Sequence, residues 1–186
     1  MKKCKKLFVL VLMFTLLTST YLKPVNAATY QICGYQWPSS SISYYYDNYN
    51  SSRFKSFLND AASVWNSSGV SKARLSYNYG SGVYCTEGYY PNAQDDGWSY
   101  IYWDSKGIIT SASILINTAA TTTWNNDYAL KSVFVHEFGH ILSLDENWPL
   151  ECVMNTYTWG YLSRYGTFGI YKPQPVDVAA VNTVYY

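Results

Sequence analysis

Apolar residues recur along this chain in two rhythms, that of a strand and that of a helix, and each marks an element. Behind Trp37-Pro38, the run Ser41-Ile42-Ser43-Tyr44-Tyr45-Tyr46 is rich in aromatic and β-branched side chains and predicts a first strand. From 51 to 66 the period lengthens. Phe54, Phe57, Leu58, Ala61, Val64 and Trp65 form one apolar stripe of an amphipathic helix, which Ser67-Ser68-Gly69 ends. Ala73 to Tyr79 alternates as a second strand, punctuated by Gly80-Ser81-Gly82. The stretch from Cys85 to Lys106 carries Pro91, Asp95-Asp96-Gly97 and Asp104 and reads as loop-rich, whereas Ile109, Ala112, Ile114 and Ile116 predict a strand over 108–117. Asn125-Asn126-Asp127 offers caps for a helix from about Tyr128 to Leu142, with Leu130, Val133, Phe134, Ile141 and Leu142 toward the core. Pro175 opens a C-terminal helix in which Val178, Val181, Val184 and Tyr185 share a face. The order β-α-β-loop-β-α-irregular-α describes a small α/β (α+β) domain.

The first residues break this pattern. Lys2, Lys3, Lys5 and Lys6 precede an apolar run from Leu7 to Leu17, and Val25-Asn26-Ala27 places small residues where a secretory leader is cleaved. Residues 1–27 are therefore expected to be a signal peptide and 28–186 a single exported domain. The run is short for a membrane span, and no membrane anchor is expected. Removing five lysines with the leader, from totals of 13 basic and 12 acidic residues, leaves the remainder at −4. With no basic stripe, nucleic acid is excluded as the expected partner. The many tyrosines read mainly as strand residues with half-buried rings. Cys33, Cys85 and Cys152 follow the leader; export permits one disulfide, with Cys33–Cys85 preferred because Cys152 lies beside the candidate active-site segment. The acids between Asp95 and Asp104 could hold Ca²⁺, although solvated turns explain them better.

The chemistry is concentrated in His136-Glu137-Phe138-Gly139-His140, which holds both histidines of the chain. On a helix, residues four apart project from one face, so two imidazoles can grip one Zn²⁺ while Glu137 reaches a metal-bound water as general base. A catalytic zinc takes three protein ligands, and with no histidine left the third must be a carboxylate. Asp145, Glu146, Glu151 and Asp177 are the candidates. A sharp turn after the helix favours Glu146, with Asp145 the alternative and Asp177 a more distant rival that equally fits a helix first turn.

The segment from His136 through Leu142-Ser143-Leu144-Asp145-Glu146, followed by Cys152-Val153-Met154-Asn155, resembles the zinc signature and Met-turn of metzincin proteases, the matrixin branch above all. The chain departs from that signature at Ser143, where the family has glycine, and at Glu146, where it has a third histidine; snapalysin-like members place aspartate there. The resemblance implies a metzincin-like zincin domain: a twisted mixed sheet, an active-site helix and a C-terminal helix. It also implies Glu146 as third ligand, Met154 beneath the metal and Tyr157 as a possible oxyanion helper. The expected function is that of a secreted, monomeric zinc endopeptidase acting on extended polypeptide. The alternative is a non-catalytic, tyrosine-rich binding or adhesion protein, against which an intact Glu137 speaks.

Overall fold

In the computed structural model the described residues are 30–80 and 82–185, so the leader assignment falls outside them. Period-two burial carries the sheet. In β1 (Ser41–Tyr46) Ile42 and Tyr44 are buried, and in β3 (Val83–Gly88) Val83 and Cys85 are. In β5 (Ile109–Asn117) Ile109, Ala112, Ile114 and Ile116 are buried in the same way. With β2 (Arg74–Tyr77) and β4 (Gly97–Trp103) these strands form a mixed sheet of order β2-β1-β3-β5-β4. The β2–β1, β1–β3 and β3–β5 pairs are parallel and β4–β5 is antiparallel, so β2 and β4 are the edges.

Two helices cover one face of that sheet. The stripe over 51–66 forms α1 (Ser52–Ser67), capped by the Ser51 side chain, which accepts from the Phe54 N–H at 3.1 Å. The short α2 (Thr121–Trp124) precedes α3 (Asp127–Ile141), capped by Asn126, whose side-chain oxygen accepts from the Ala129 N–H at 3.1 Å. Phe54, Leu58 and Trp65 of α1 meet Leu130, Phe134 and Phe138 of α3 in one buried core. The C-terminal α4 (Pro175–Val184) adds Val181 and Val184, with Tyr185 just beyond it. Among the described residues no helix is long and apolar enough to cross a membrane.

The stretch read as loop-rich holds both β3 and β4. Neither alternates along its whole length: β4 is half-buried or exposed throughout, and β3 loses its alternation toward Glu87, whose carboxylate accepts from the N–H and hydroxyl of Ser51 at the start of α1. An edge strand and a strand end that caps a helix both mix polar with apolar residues, which hides the period.

Cys33 and Cys85 do not pair. All three cysteines of the described residues are free, with Cys85 facing the helices inside the core and Cys33 on the segment that pairs with Ser143.

Candidate metal centre

Helix α3 brings its two histidines out on one face and then stops abruptly. Ser143 N–H donates to His140 O and Leu144 N–H to Gly139 O, the two bonds of a Schellman motif, with Ser143 in the left-handed region at φ 70°. A side chain there costs about 1 kcal/mol relative to glycine. Here the Ser143 hydroxyl also lies 3.2 Å from the buried Tyr185 hydroxyl.

The reversed chain is then gripped on both sides of Glu146. Asn147 receives the Gln31 N–H at 2.6 Å, donates to Gln31 O at 3.0 Å and Asp145 O at 2.7 Å, and its own N–H donates to Met154 O at 2.8 Å. The carboxylate between these anchors reaches the helix face. Glu146 Oε1 lies 3.3 Å from His136 Nε2 and 3.4 Å from His140 Nε2, and the two Nε2 atoms are 3.1 Å apart.

These separations can be tested against a metal. Ligand atoms about 2.0–2.1 Å from one tetrahedral ion stand about 3.3–3.4 Å from each other. The tautomers fit as well, because His136 Nδ1 faces Val153 O at 2.9 Å and His140 Nδ1 faces Leu144 O at 3.0 Å. A carbonyl only accepts, so each Nδ1 carries the proton and each Nε2 presents its lone pair. Glu146 Oε2 is buried with no hydrogen-bond partner. Unpaired buried acceptors are costly, and a cation beside this one would remove the cost. His136, His140 and Glu146 can therefore hold a metal ion.

The electrostatics follow the crowding. Burial and the nearby Arg164 charge lower the His136 pKa against the pull of Glu146, whereas at His140 the Glu146 hydrogen bond and the Glu137 charge outweigh burial and raise it. Burial pushes the Glu146 carboxyl up, but the two imidazoles overcome it and hold the group well below the usual carboxylate range.

Glu137 is buried one position round the helix and points to the sheet edge. Ser99 Oγ of β4 lies 2.7 Å from Glu137 Oε2 and 3.1 Å from its carbonyl oxygen, so a serine hydroxyl fixes the carboxylate. Gly97 makes room for it: a Cβ there would stand 3.1 Å from Glu137 Oε1 and 3.0 Å from Val133 Cγ1. Under the helix, Met154 Sδ approaches so closely that a Cβ on Gly139 would meet it at 2.1 Å.

The other candidates are placed as follows. Asp145 does not join the ligand group; its Oδ1 accepts from the Glu146 N–H at 2.8 Å. Glu151 is exposed. Asp177 is fully buried in a different network, accepting from Tyr30 Oη at 2.5 Å, Val153 N–H at 3.1 Å and Gln174 N–H at 2.6 Å. It is no rival for the third ligand. Through Val153, whose carbonyl receives His136 Nδ1–H, Asp177 instead steadies the first one. Tyr157 stands exposed on the cleft wall. The calcium expectation finds no site. Asp104 Oδ1 accepts the Lys106 and Ile108 N–H groups, Asp95 accepts from Trp98 Nε1, and no second metal-binding group converges among the described residues.

Sequence reasoning singled out neither Ser99 nor Arg164. Both line the cleft of about 570 Å³ that runs past the two histidines, Glu137 and Glu146. Each is a single polar residue far from the motif, with no spacing to reveal it.

No family model and no curated protein matches this chain. The fold is similar to that of a chain in the GM1-bound form of the ECX AB5 holotoxin. The TM-score is 0.54 and the identity 16%, over 77% of this chain and 79% of that one. The likeness is one of fold. It overturns the matrixin-type metzincin assignment: what the chain resembles is an AB5 holotoxin chain, and no family model supports the other placement. The error has a physical source. Two histidines one helical turn apart are a local requirement for gripping a metal on a helix face, and a site of this kind does not specify a family.

Proposed function

We propose that this protein is a secreted zinc-dependent endopeptidase. One observation carries the reading: two imidazole Nε2 atoms and a carboxylate oxygen converge within 3.4 Å of one another while Glu137 stands beside them, held but not enlisted as a ligand. A site that only bound metal for stability would be closed by a fourth ligand and would have no use for a base. When bound, zinc supplies an activated water near neutral pH and polarises a carbonyl.

The chain's own residues supply the rest. Glu137 takes a proton from the attacking water and returns it to the leaving amine. Ser99 holds the Glu137 carboxylate in place where it lines the cleft with the ligand group. Tyr157, on the cleft wall, offers a hydroxyl to the carbonyl oxygen of the bond being cut. The edge strand β4 borders the same cleft through Gly97–Ile101, and its outer edge has free backbone groups with which an extended peptide can pair. That favours a polypeptide substrate and a monomer whose edge stays open. The leader-like start and the fold likeness to a holotoxin chain support an exported protein.

The test is hydrolysis of a generic denatured protein by the zinc-loaded chain, with zinc-loaded Glu137→Gln in parallel. Cleavage by the wild type and at least about a hundredfold less by the variant is expected. Equal rates, or none from a folded wild type with zinc bound, overturn the reading. The exposed Tyr79, Tyr89, Tyr100 and Tyr102 would then favour the binding or adhesion alternative.

A further inference from the structure

Arg164 is one of three arginines in the chain and is only 2% exposed. It rises from the irregular segment after Met154 and lies beside Ser132, one helical turn before His136. Its Nε donates to Ser132 Oγ at 3.2 Å. One terminal nitrogen donates to Asn155 O at 2.9 Å and Thr156 O at 3.0 Å, and the other to Thr158 Oγ1 at 2.8 Å. A guanidinium has five N–H donors, and these contacts use four. No carboxylate among the described residues lies within ion-pairing distance of it. The carboxylates whose charge reaches it, Glu137, Glu146 and Asp96, lie beyond ion-pairing distance and line the same cleft.

A fully buried guanidinium solvated by neutral oxygens alone is expensive, and its four hydrogen bonds hold the Asn155–Thr158 segment without neutralising the charge. The charge sits where a substrate would pass, in the wall of the cleft next to the base. Its contacts leave one N–H over, enough for a single charge-assisted hydrogen bond to an anion. We propose that Arg164 is a specificity-determining residue. It receives the acidic side chain of an aspartate or glutamate flanking the scissile bond, making acidic polypeptides the preferred substrate class. This extends the peptidase reading and rests on it for its kinetic test only.

Two series of quenched peptides decide the matter. Each peptide is acylated and amidated at its ends, so that any carboxylate is a side chain's, and the series place Glu, Gln, Leu or Lys on one side or the other of the cleaved bond. Zinc-loaded wild type should cleave the Glu peptide about ten- to a hundredfold faster than its Gln isostere in one series, in kcat/KM. That ratio should collapse toward one in Arg164→Met and fall partway in Arg164→Lys, which keeps charge without the fork. Ratios near one in both wild-type series overturn the proposal, as does a large ratio that survives in a folded Arg164→Met.

A second measurement keeps Arg164 in place and needs no turnover. The Nε–H resonance of Arg164, told apart from those of Arg53 and Arg74 by single substitutions, should shift on adding the Glu peptide and not the Gln peptide to the zinc-loaded Glu137→Gln chain. Identical responses overturn the proposal. Cleavage without acidic preference refutes this inference and leaves the peptidase standing. An acid-selective shift in a chain that cleaves nothing does the reverse.

Discussion

Replacing Gly139 by alanine sets two well-known quantities against each other. In an exposed helix the change stabilises by about 1 kcal/mol, because alanine is the better helix former. In α3 the added methyl would stand 2.1 Å from Met154 Sδ, 3.1 Å from its Cε and 3.4 Å from Trp65 Cζ2. An ordinary contact needs about 3.6 Å, so the sulfur must withdraw by about 1.5 Å. Met154 and Trp65 are 0% and 1% exposed, so neither can withdraw into solvent. Overpacking of this kind costs about 1–3 kcal/mol. The expected result is a net loss of about 1 kcal/mol, read as a lower midpoint with unchanged slope in urea unfolding of the zinc-free chain. The cycle with Met154→Ala sharpens the test. In that background the same methyl enters a cavity and should stabilise by about 1 kcal/mol, giving a coupling energy of about 2 kcal/mol. A Gly139→Ala chain as stable as wild type, or a coupling near zero, would refute the reasoning, for it would mean that the sulfur does not seat against this turn of the helix.

Further expectations concern the metal group and the thiols. Glu146→Gln should weaken zinc binding at least about a hundredfold in competition with a chromophoric chelator while Asp145→Asn changes it little; the opposite ranking would return the third ligand to Asp145. Zinc at a thousandfold excess over its Kd adds about 4 kcal/mol, so chelation should lower the thermal midpoint by about 10 °C, and an unmoved midpoint argues against a folded-state site. That gap has a direction with pH. In the metal-free chain the raised His140 pKa means that its pairing with Glu146 contributes fully below the ordinary value of 6.5 and is lost as pH rises through the folded value. Zinc requires neutral imidazoles, so its contribution grows over the same range, and the gap between loaded and chelated midpoints should widen above about pH 6.5; a narrowing gap contradicts the assignment. Finally, burial pushes the Cys152 thiol up to about 12 and raises Cys85 as well, and both are 0% exposed. Burial raises the Cys33 thiol too, but Cys33 alone of the three is partly exposed, so iodoacetamide at pH 8 should label it slowly in the folded chain and Cys85 and Cys152 only after denaturation, as counted by mass. Protection of Cys33 that reduction relieves would point to a disulfide instead.

What could be read from sequence was whatever rests on local periodicity. The stripe from Phe54 to Trp65 and the capped run from Asn126 to Ile141 are amphipathic or buried helices whatever surrounds them, and the tyrosines of β1 and the isoleucines of β5 make those strands stand out. The histidine pair was visible for the same reason. The choice between Asp145 and Glu146 was not, because a one-residue difference in the turn swaps them and the turn depends on Ser143 tolerating a left-handed backbone. Strand β4 escaped notice because its residues answer to a cleft on one side and to β5 on the other. Ser99 and Arg164 reach the site through tertiary packing alone, so no window of sequence contains both them and the motif. The family assignment failed for a related reason: it extended a local resemblance to a whole chain.

The clasp between Gln31 and Asn147 joins residues 116 apart, and it holds the segment that carries Glu146. During synthesis the Gln31 end appears early and must wait for almost four-fifths of the chain before its partner exists. The segment bearing His136 and His140 is complete before that point, but it lacks its third arm. Capture of a metal at this group would thereby be tied to a late, long-range closure and not to the appearance of the motif itself. In a refolding experiment, zinc uptake at full affinity would then report the last stage of assembly, trailing the growth of helical signal, and the centre would serve as a clock for the completeness of the fold.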